Sequence, residues 1–299
     1  MRQSGMNPLF SHTMGLGTWA WGDRLFWGYG REYGEEDLRR AFAASLQAGI
    51  RLLDTAEFYG FGLAEELLGR FMAETGQRPY LVSKFFPYPW RLSRRSLVGA
   101  LKGSLKRLGV EALDLYLLHW PWPPVPLRVW AEALAEAYER GLARGVGFSN
   151  LSLAQLEEAK GVLDRHRVPL LTLQVEYSLL VRDWEAHLPA LRREGIALMA
   201  YSPLAMGWLS GKLDPEKPPG GYRGRKYRPL LPRVKALLPV LKELAQAKGT
   251  TPAALALRYL VEKGALPIPG AKNEAQVRQN ALALALRLTP EEVARLEAA

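Results

Sequence analysis

Asp54 and Tyr59 stand five residues apart in RLLDTAEFYG, Lys84 closes LVSK, and His119 closes LYLLH. These four side chain types can move a proton onto a carbonyl oxygen. A buried aspartate and a buried lysine must pair, because either charge alone is too costly away from water. The pair would set a cation beside Tyr59. Such a cation favours tyrosinate and is expected to lower the phenol from its ordinary pKa of about 10. A tyrosine so tuned is a usable general acid near neutral pH. His119 could hydrogen-bond the same oxygen and polarise the carbonyl. Each residue alone has a plainer reading: a strand-end Asp or Lys is often a structural ion pair, and a lone His is more often a satisfied core residue. Their joint appearance at successive strand ends is what points to a site.

The elements that must position them are short β-like runs alternating with longer helical ones. Strands are predicted at 14–19, 51–56, 80–84, 113–120, 145–150, 170–177, 196–203 and 265–270, several of them apolar throughout, as strands buried on both faces are. Helical periodicity falls near 35–48, 63–74, 94–108, 127–140, 152–164, 185–194, 233–247, 252–263 and 273–284. Ser93 and Ser152 stand at N-cap positions and Pro252 at a first turn. Gly49, Gly109, Gly141, Gly195 and Gly264 follow helical runs, where a left-handed C-terminal residue belongs. Eight right-handed βα alternations predict an α/β chain closed into a single-domain (β/α)8 TIM barrel over residues 1–299. In such a barrel the chemistry sits at the C-terminal ends of the strands. Asp54, Lys84, His119, Ser149 with Asn150, Gln174, and Tyr201 with Ser202 all belong there. Residues 204–232 read as a long irregular loop over the barrel mouth, and residues 1–13 as a small plug or hairpin beneath it.

Composition narrows the classes of function. The chain has 299 residues, nearly half of them apolar, and no cysteine. Disulfides, thiolate nucleophiles and Cys-ligated zinc are therefore excluded. The four histidines form no ligand-like cluster, so no metal is expected. No apolar run is long enough for a membrane span and no secretory leader is evident, which suits a cytoplasmic protein. The formal net charge is +10. Most basic residues sit at helical spacing among Glu and Leu, as on a solvated helix face, so nucleic acid is not the expected partner. The exception is 220–228, GGYRGRKYR, which would suit an anionic cofactor or substrate. The bias to Pro, Arg, Leu and Ala with little Asn suggests a thermophile.

DTAEFYG (54–60), the lysine ending LVSK, LYLLHW (115–120), GVGFSN (145–150), the Gln174 strand, YSPLAMGWLSGK (201–212) and IPGAKNEAQVRQN (268–280) occur in one order. In that order the chain resembles the aldo-keto reductase family from about residue 14 to 284. The resemblance implies aldehyde or ketone reduction, with Asp54, Tyr59, Lys84 and His119 as the catalytic tetrad and Tyr59 as proton donor. It places Ser149, Asn150 and Gln174 on a nicotinamide carboxamide and Tyr201 against the nicotinamide ring. Gly17, Thr18 and Trp19 would line that end. Ser202, Pro203, Leu204, Gly207, Leu209 and Lys212 match a loop that straps the pyrophosphate. Ile268, Pro269, Gly270 and Ala271 lead into a helix whose N-terminal amides can hold phosphate. Gln276, Gln279 and Asn280 would meet the adenine side. Many relatives carry Lys-Ser and a later Arg for the 2′-phosphate, where this chain has Gly270, Ala271 and Gln276. Lys272 is the expected substitute, so NADPH is expected over NADH. No GxGxxG fingerprint is present, in keeping with a barrel reductase.

Nine tryptophans are many for this length. Trp19, Trp21, Trp27, Trp90, Trp120 and Trp122, with Phe85, Phe86 and Tyr88, are expected at the catalytic rim. Of these, Trp19, Trp21, Phe85, Trp90 and Trp120 are expected with Tyr59 and His119 as a pocket wall for small carbonyl substrates, in a monomer or small homo-oligomer. Two rival readings remain: a redox-sensing subunit of the same fold that binds cofactor with little turnover, and a Schiff-base aldolase using Lys84.

Overall fold

The computed structural model describes residues 6–299. Among these lie eight strands: β1 (Leu16–Gly17), β2 (Leu52–Asp54), β3 (Tyr80–Phe85), β4 (Leu115–Leu118), β5 (Val146–Ser149), β6 (Leu170–Glu176), β7 (Ala197–Tyr201) and β8 (Leu266–Pro267). All neighbours pair in parallel and in chain order. The barrel closes where Gly15 N–H donates to Pro267 O and Gly17 N–H to Pro269 O, both at 3.0 Å.

Helices α1 (Glu35–Gln47), α2 (Leu63–Thr75), α3 (Arg94–Leu108), α4 (Leu127–Glu139), α5 (Leu153–Arg165), α6 (Leu188–Arg193), α7 (Gly221–Tyr227), α8 (Leu231–Ala247), α9 (Pro252–Glu262), α10 (Glu274–Ala285) and α11 (Pro290–Ala298) surround it. Ser152 and Gln155 form a reciprocal capping box, while the Ser93 hydroxyl holds the N-cap position without bonding a backbone N–H of the helix. All five glycines expected to end helices have positive φ. Helix α11 was not expected from the sequence. Its signal is a Thr289–Glu292 capping box, with Pro290 in the first turn.

Two irregular regions differ from expectation. Segment 204–232 is not structureless: it contains a 3-10 stretch Ala205–Ser210, then α7, a 3-10 turn Arg228–Leu230 and the start of α8. Tyr227 anchors it, buried and donating its hydroxyl to Glu176 at 2.6 Å, a long-range contact that local propensity does not reveal. At the other end the chain forms a plug, not a hairpin, although residues 1–5 of that expectation lie outside the described residues. Leu9 is buried with Leu52, Val82 and Leu115, and the Asn7 amide donates to Leu171 O at 2.7 Å and Gly195 O at 2.8 Å.

The two-residue alternation of strands explains where the polar groups fall. Leu52, Val82, Leu115, Leu117 and Met199 pack together inside the barrel. Leu53, Phe85, Tyr116, Leu118 and Phe148 pack outward against helices. Asp54, Lys84, His119 and Tyr201 share the parity of the inward set, one pleat nearer the C-terminal mouth. Ser83, of outward parity, donates instead to Glu65 of α2, which also accepts from Arg107 Nε at 2.7 Å. Glu65 is fully buried, and burial raises its carboxyl above the ordinary range while Arg107 opposes this. Arg107→Ala is therefore expected to cost about 3 kcal/mol, because it strands a buried carboxylate. Denaturant unfolding measures this, and Glu65→Gln added to Arg107→Ala should recover part of the loss.

Candidate active site

The segment after β2 carries Tyr59 through a sharp turn. Gly60, Phe61 and Gly62 all have positive φ, and a Cβ on Gly60 would lie 2.9 Å from Gly22 O. Only glycine adopts that conformation freely in so tight a space. The turn brings Tyr59 back over the barrel mouth. Lys84 Nζ then donates to Asp54 Oδ1 at 2.6 Å, to Thr55 O at 2.8 Å and to Tyr59 Oη at 3.2 Å. Asp54 Oδ2 accepts from Gln174 Nε2 at 2.8 Å. Thr18 fixes the strand end, its N–H and Oγ1 both donating to Asp54 O. The His119 ring stands nearly perpendicular to that of Tyr59, with centroids 5.7 Å apart. The four residues expected to meet do meet.

Their electrostatics correct one expectation. Burial pushes the Tyr59 phenol up, and the nearby Lys84 charge pulls it down without reversing the direction. The cation therefore limits the rise and does not take the phenol below its ordinary value. Tyr59 thus stays protonated near neutral pH. Burial would lower Lys84, but Asp54 and the Tyr59 oxygen outweigh it and hold the ammonium above its usual range. Burial raises the Asp54 carboxyl against the pull of Lys84 and Gln174. Burial, then the Lys84 charge, holds His119 well below its ordinary value, so the imidazole is neutral. Its Nδ1 is buried with no hydrogen-bond partner. We assign the ring proton to Nε2, since an unpaired buried N–H costs more than an unused lone pair.

These groups sit at one end of a cavity of about 800 Å³. Gly17, Trp19, Ser149, Gln174 and Tyr201 line it nearby, followed by Ser202, Pro203, Leu204, Gly207 and Lys212. Ile268, Pro269, Gly270, Ala271, Lys272, Gln276, Gln279 and Asn280 also line it. Three residues expected here do not line it. Thr18 is buried behind Asp54, and Leu209 is fully buried in the outer core. Asn150 instead ties the strand ends together, donating to His119 O and Ser149 Oγ at 3.0 Å and accepting from Tyr201 Oη at 2.9 Å. The amides at the start of α10 are also less free than expected. Lys272 N–H donates to the Gln276 side chain and Gln276 N–H to the Asn273 side chain.

The aromatic wall is partly other than expected. Trp19, Trp27, Phe86, Trp120 and Trp122 line the cavity, and Trp120 stacks on Trp122 at 5.4 Å. Trp21 is fully buried, donating to Ala271 O and packing on Phe71. Phe85 has the outward parity of β3 and packs on Trp130. Trp90 is 72% exposed and stacks on Tyr88 outside the cavity. The sequence reading did not single out Phe58, Glu176 or Glu32. Phe58 stacks on Phe86 with centroids 4.3 Å apart, and its neighbour Tyr59 was the available clue. Glu176 accepts from Lys226 Nζ at 2.8 Å, and no local pattern marks it.

The donor set fits a long cofactor that carries anionic phosphate groups. Amide and hydroxyl groups surround the tetrad end, while the cations Lys212, Arg223, Lys226 and Lys272 line the rest. No helix among the described residues is long and apolar enough to cross a membrane.

Residues 13–299 match the model of the aldo/keto reductase family. The chain is 39% identical to a protein named pyridoxal reductase, chloroplastic, from Arabidopsis thaliana, over 98% of this chain and 84% of that protein. It is 33% identical to the aldo-keto reductase YhdN of Bacillus subtilis, over 88% of this chain and 82% of that one. Among solved structures it matches an aldo-keto reductase from Klebsiella pneumoniae in complex with NADPH, with a TM-score of 0.73 at 31% identity, covering 96% of this chain and 90% of that one. With its barrel and with these relatives, the chain is an oxidoreductase of the aldo/keto reductase family.

Proposed function

We propose that this protein reduces aldehydes or ketones to alcohols with NADPH, Tyr59 supplying the proton. The observation that carries this reading is the Asp54–Lys84–Tyr59 chain at the mouth of the cavity, with Lys84 Nζ bonded to both partners. The cofactor, when bound, supplies a hydride to the carbonyl carbon. The carbonyl oxygen then takes the Tyr59 proton, so one C–H and one O–H bond form as the π bond breaks. His119 Nε2–H donates to the same oxygen and orients it. Lys84, held charged by Asp54, stabilises the tyrosinate left behind. Ser149, Gln174 and Tyr201 would hold the nicotinamide end, Lys212 and the residues after Tyr201 the pyrophosphate, and Lys272 the 2′-phosphate.

A Schiff-base role for Lys84 is disfavoured, because its amine is held protonated against Asp54 and cannot act as a nucleophile. The aromatic wall favours planar aldehydes, and the plant relative's name makes pyridoxal one to include. A screen of NADPH oxidation over aromatic aldehydes, pyridoxal, sugar aldehydes and methylglyoxal tests the reading. Turnover of none of them, with cofactor still bound, would favour the redox-sensing subunit instead. Lys272→Ala is expected to weaken NADPH by about tenfold or more, the scale of one charge-assisted hydrogen bond, and NADH by less than about twofold. Quenching of the cavity tryptophans measures both affinities, and equal losses would remove Lys272 from the 2′-phosphate.

A further inference from the structure

Lys272 is not a free cation. Its Nζ donates to Trp27 O at 2.8 Å and to Glu32 Oε2 at 3.1 Å, and it lies over the rings of Trp27 and Tyr33 at 5.2 and 4.9 Å. Glu32 comes from the loop between β1 and α1, far away in sequence, and lines the same cavity as Gln276 and Gln279. The turn that carries it is built. Glu32 N–H donates to Gly28 O at 2.9 Å, Gly30 N–H to Tyr33 O at 2.8 Å, and the Tyr33 hydroxyl anchors the turn on Ala20 O. The Glu32 carboxylate folds back against Gly28, whose positive φ and missing Cβ leave the space.

We propose that Glu32 is a cofactor-discriminating residue: its carboxylate competes with the 2′-phosphate for Lys272 and so lowers the preference for NADPH over NADH. The proposal rests on Lys272 being the 2′-phosphate contact. A phosphate within hydrogen-bonding reach of Nζ would stand a few ångströms from the Glu32 carboxylate, and the two anions repel. NADH brings no phosphate to this point. A carboxylate there can accept from a 2′-hydroxyl, as acidic residues do beside adenosine riboses in other dinucleotide sites. The Glu32 side chain is 69% exposed, so the competition is screened by salt.

The test uses dissociation constants from tryptophan quenching, with NADPH and NADH, for the wild type, Glu32→Gln, Lys272→Ala and the double variant. Glu32→Gln keeps size and a hydrogen-bond acceptor while removing the charge. The expected result is NADPH bound about five- to tenfold more tightly, with NADH unchanged within about twofold or weaker. The gain should shrink in high salt and be smaller in the Lys272→Ala background, where the competition for Nζ is gone and only the screened repulsion between the two anions remains. A looser turn without charge competition would show neither effect. If Lys272→Ala weakens NADPH selectively but Glu32→Gln leaves it unchanged or weaker, or tightens both cofactors alike, the role of Glu32 is overturned and that of Lys272 stands. If Lys272→Ala weakens both cofactors equally, both ideas fall.

Discussion

Tyr59→Phe is expected to lower carbonyl reduction by about a thousandfold or more, because on the proposed mechanism it removes both the proton donor and one of the two donors aimed at the carbonyl oxygen. The substitution deletes one oxygen and leaves the ring, so packing against His119 is retained. Cofactor affinity, read from tryptophan quenching, should stay within about twofold. Retained turnover would remove Tyr59 from the chemistry. The direction of the phenol shift adds a pH signature. On the proposed mechanism reduction needs the protonated phenol, so activity is expected below its pKa and lost above it. Burial raises that pKa. The alkaline limb of kcat/KM for the aldehyde, at saturating NADPH, should therefore lie above the ordinary tyrosine value of about 10. A limb near neutrality would mean that the Lys84 charge outweighs burial.

Lys84→Met should lower reduction by roughly a hundred- to ten-thousandfold, since the tyrosinate formed on proton transfer would lose its neighbouring cation. It should also destabilise the fold by about 3–5 kcal/mol, because Asp54 would remain buried with Gln174 as its surviving side chain partner. The two losses separate in a second variant. Asp54→Asn combined with Lys84→Met removes the stranded charge and should recover most of the stability while activity stays low. Recovery of activity along with stability would make the ion pair purely structural. The alkaline limb offers an independent readout in any residual activity. It should move further up in Lys84→Met, because the lowering influence of the ammonium on Tyr59 is gone.

Asp54, Lys84 and His119 were legible because each stands at the end of a predicted strand, and the observed strand parity turns all three inward. Once Leu52, Val82 and Leu115 are assigned inward, Asp54, Lys84 and His119 follow at even spacing. The barrel was legible for a similar reason, since eight βα alternations leave few ways to bury both faces of a parallel sheet. Parity also rules Phe85 out of the pocket, although its place beside Lys84 in the chain suggests the opposite. Trp21 and Trp90 show the limit of composition. Both fall in loops near the rim, yet one is drawn into the core by a bond to Ala271 and the other lies in solvent against Tyr88. For Trp21 the deciding contact lies 250 residues away, beyond the reach of any local pattern.

What the sequence settled alone was the barrel, the place of Asp54, Lys84 and His119 at the ends of predicted strands, and the polar ends of β5 to β7. These follow from periodicity and from the cost of burying an unpaired charge, both of which act along short stretches of chain. Only the tertiary structure decided the balance on Tyr59, where burial outweighs Lys84, and the company of Lys272. Glu32, Trp27 and Tyr33 reach that lysine across some 240 residues, and no local pattern records which carboxylate a long, flexible cation will find.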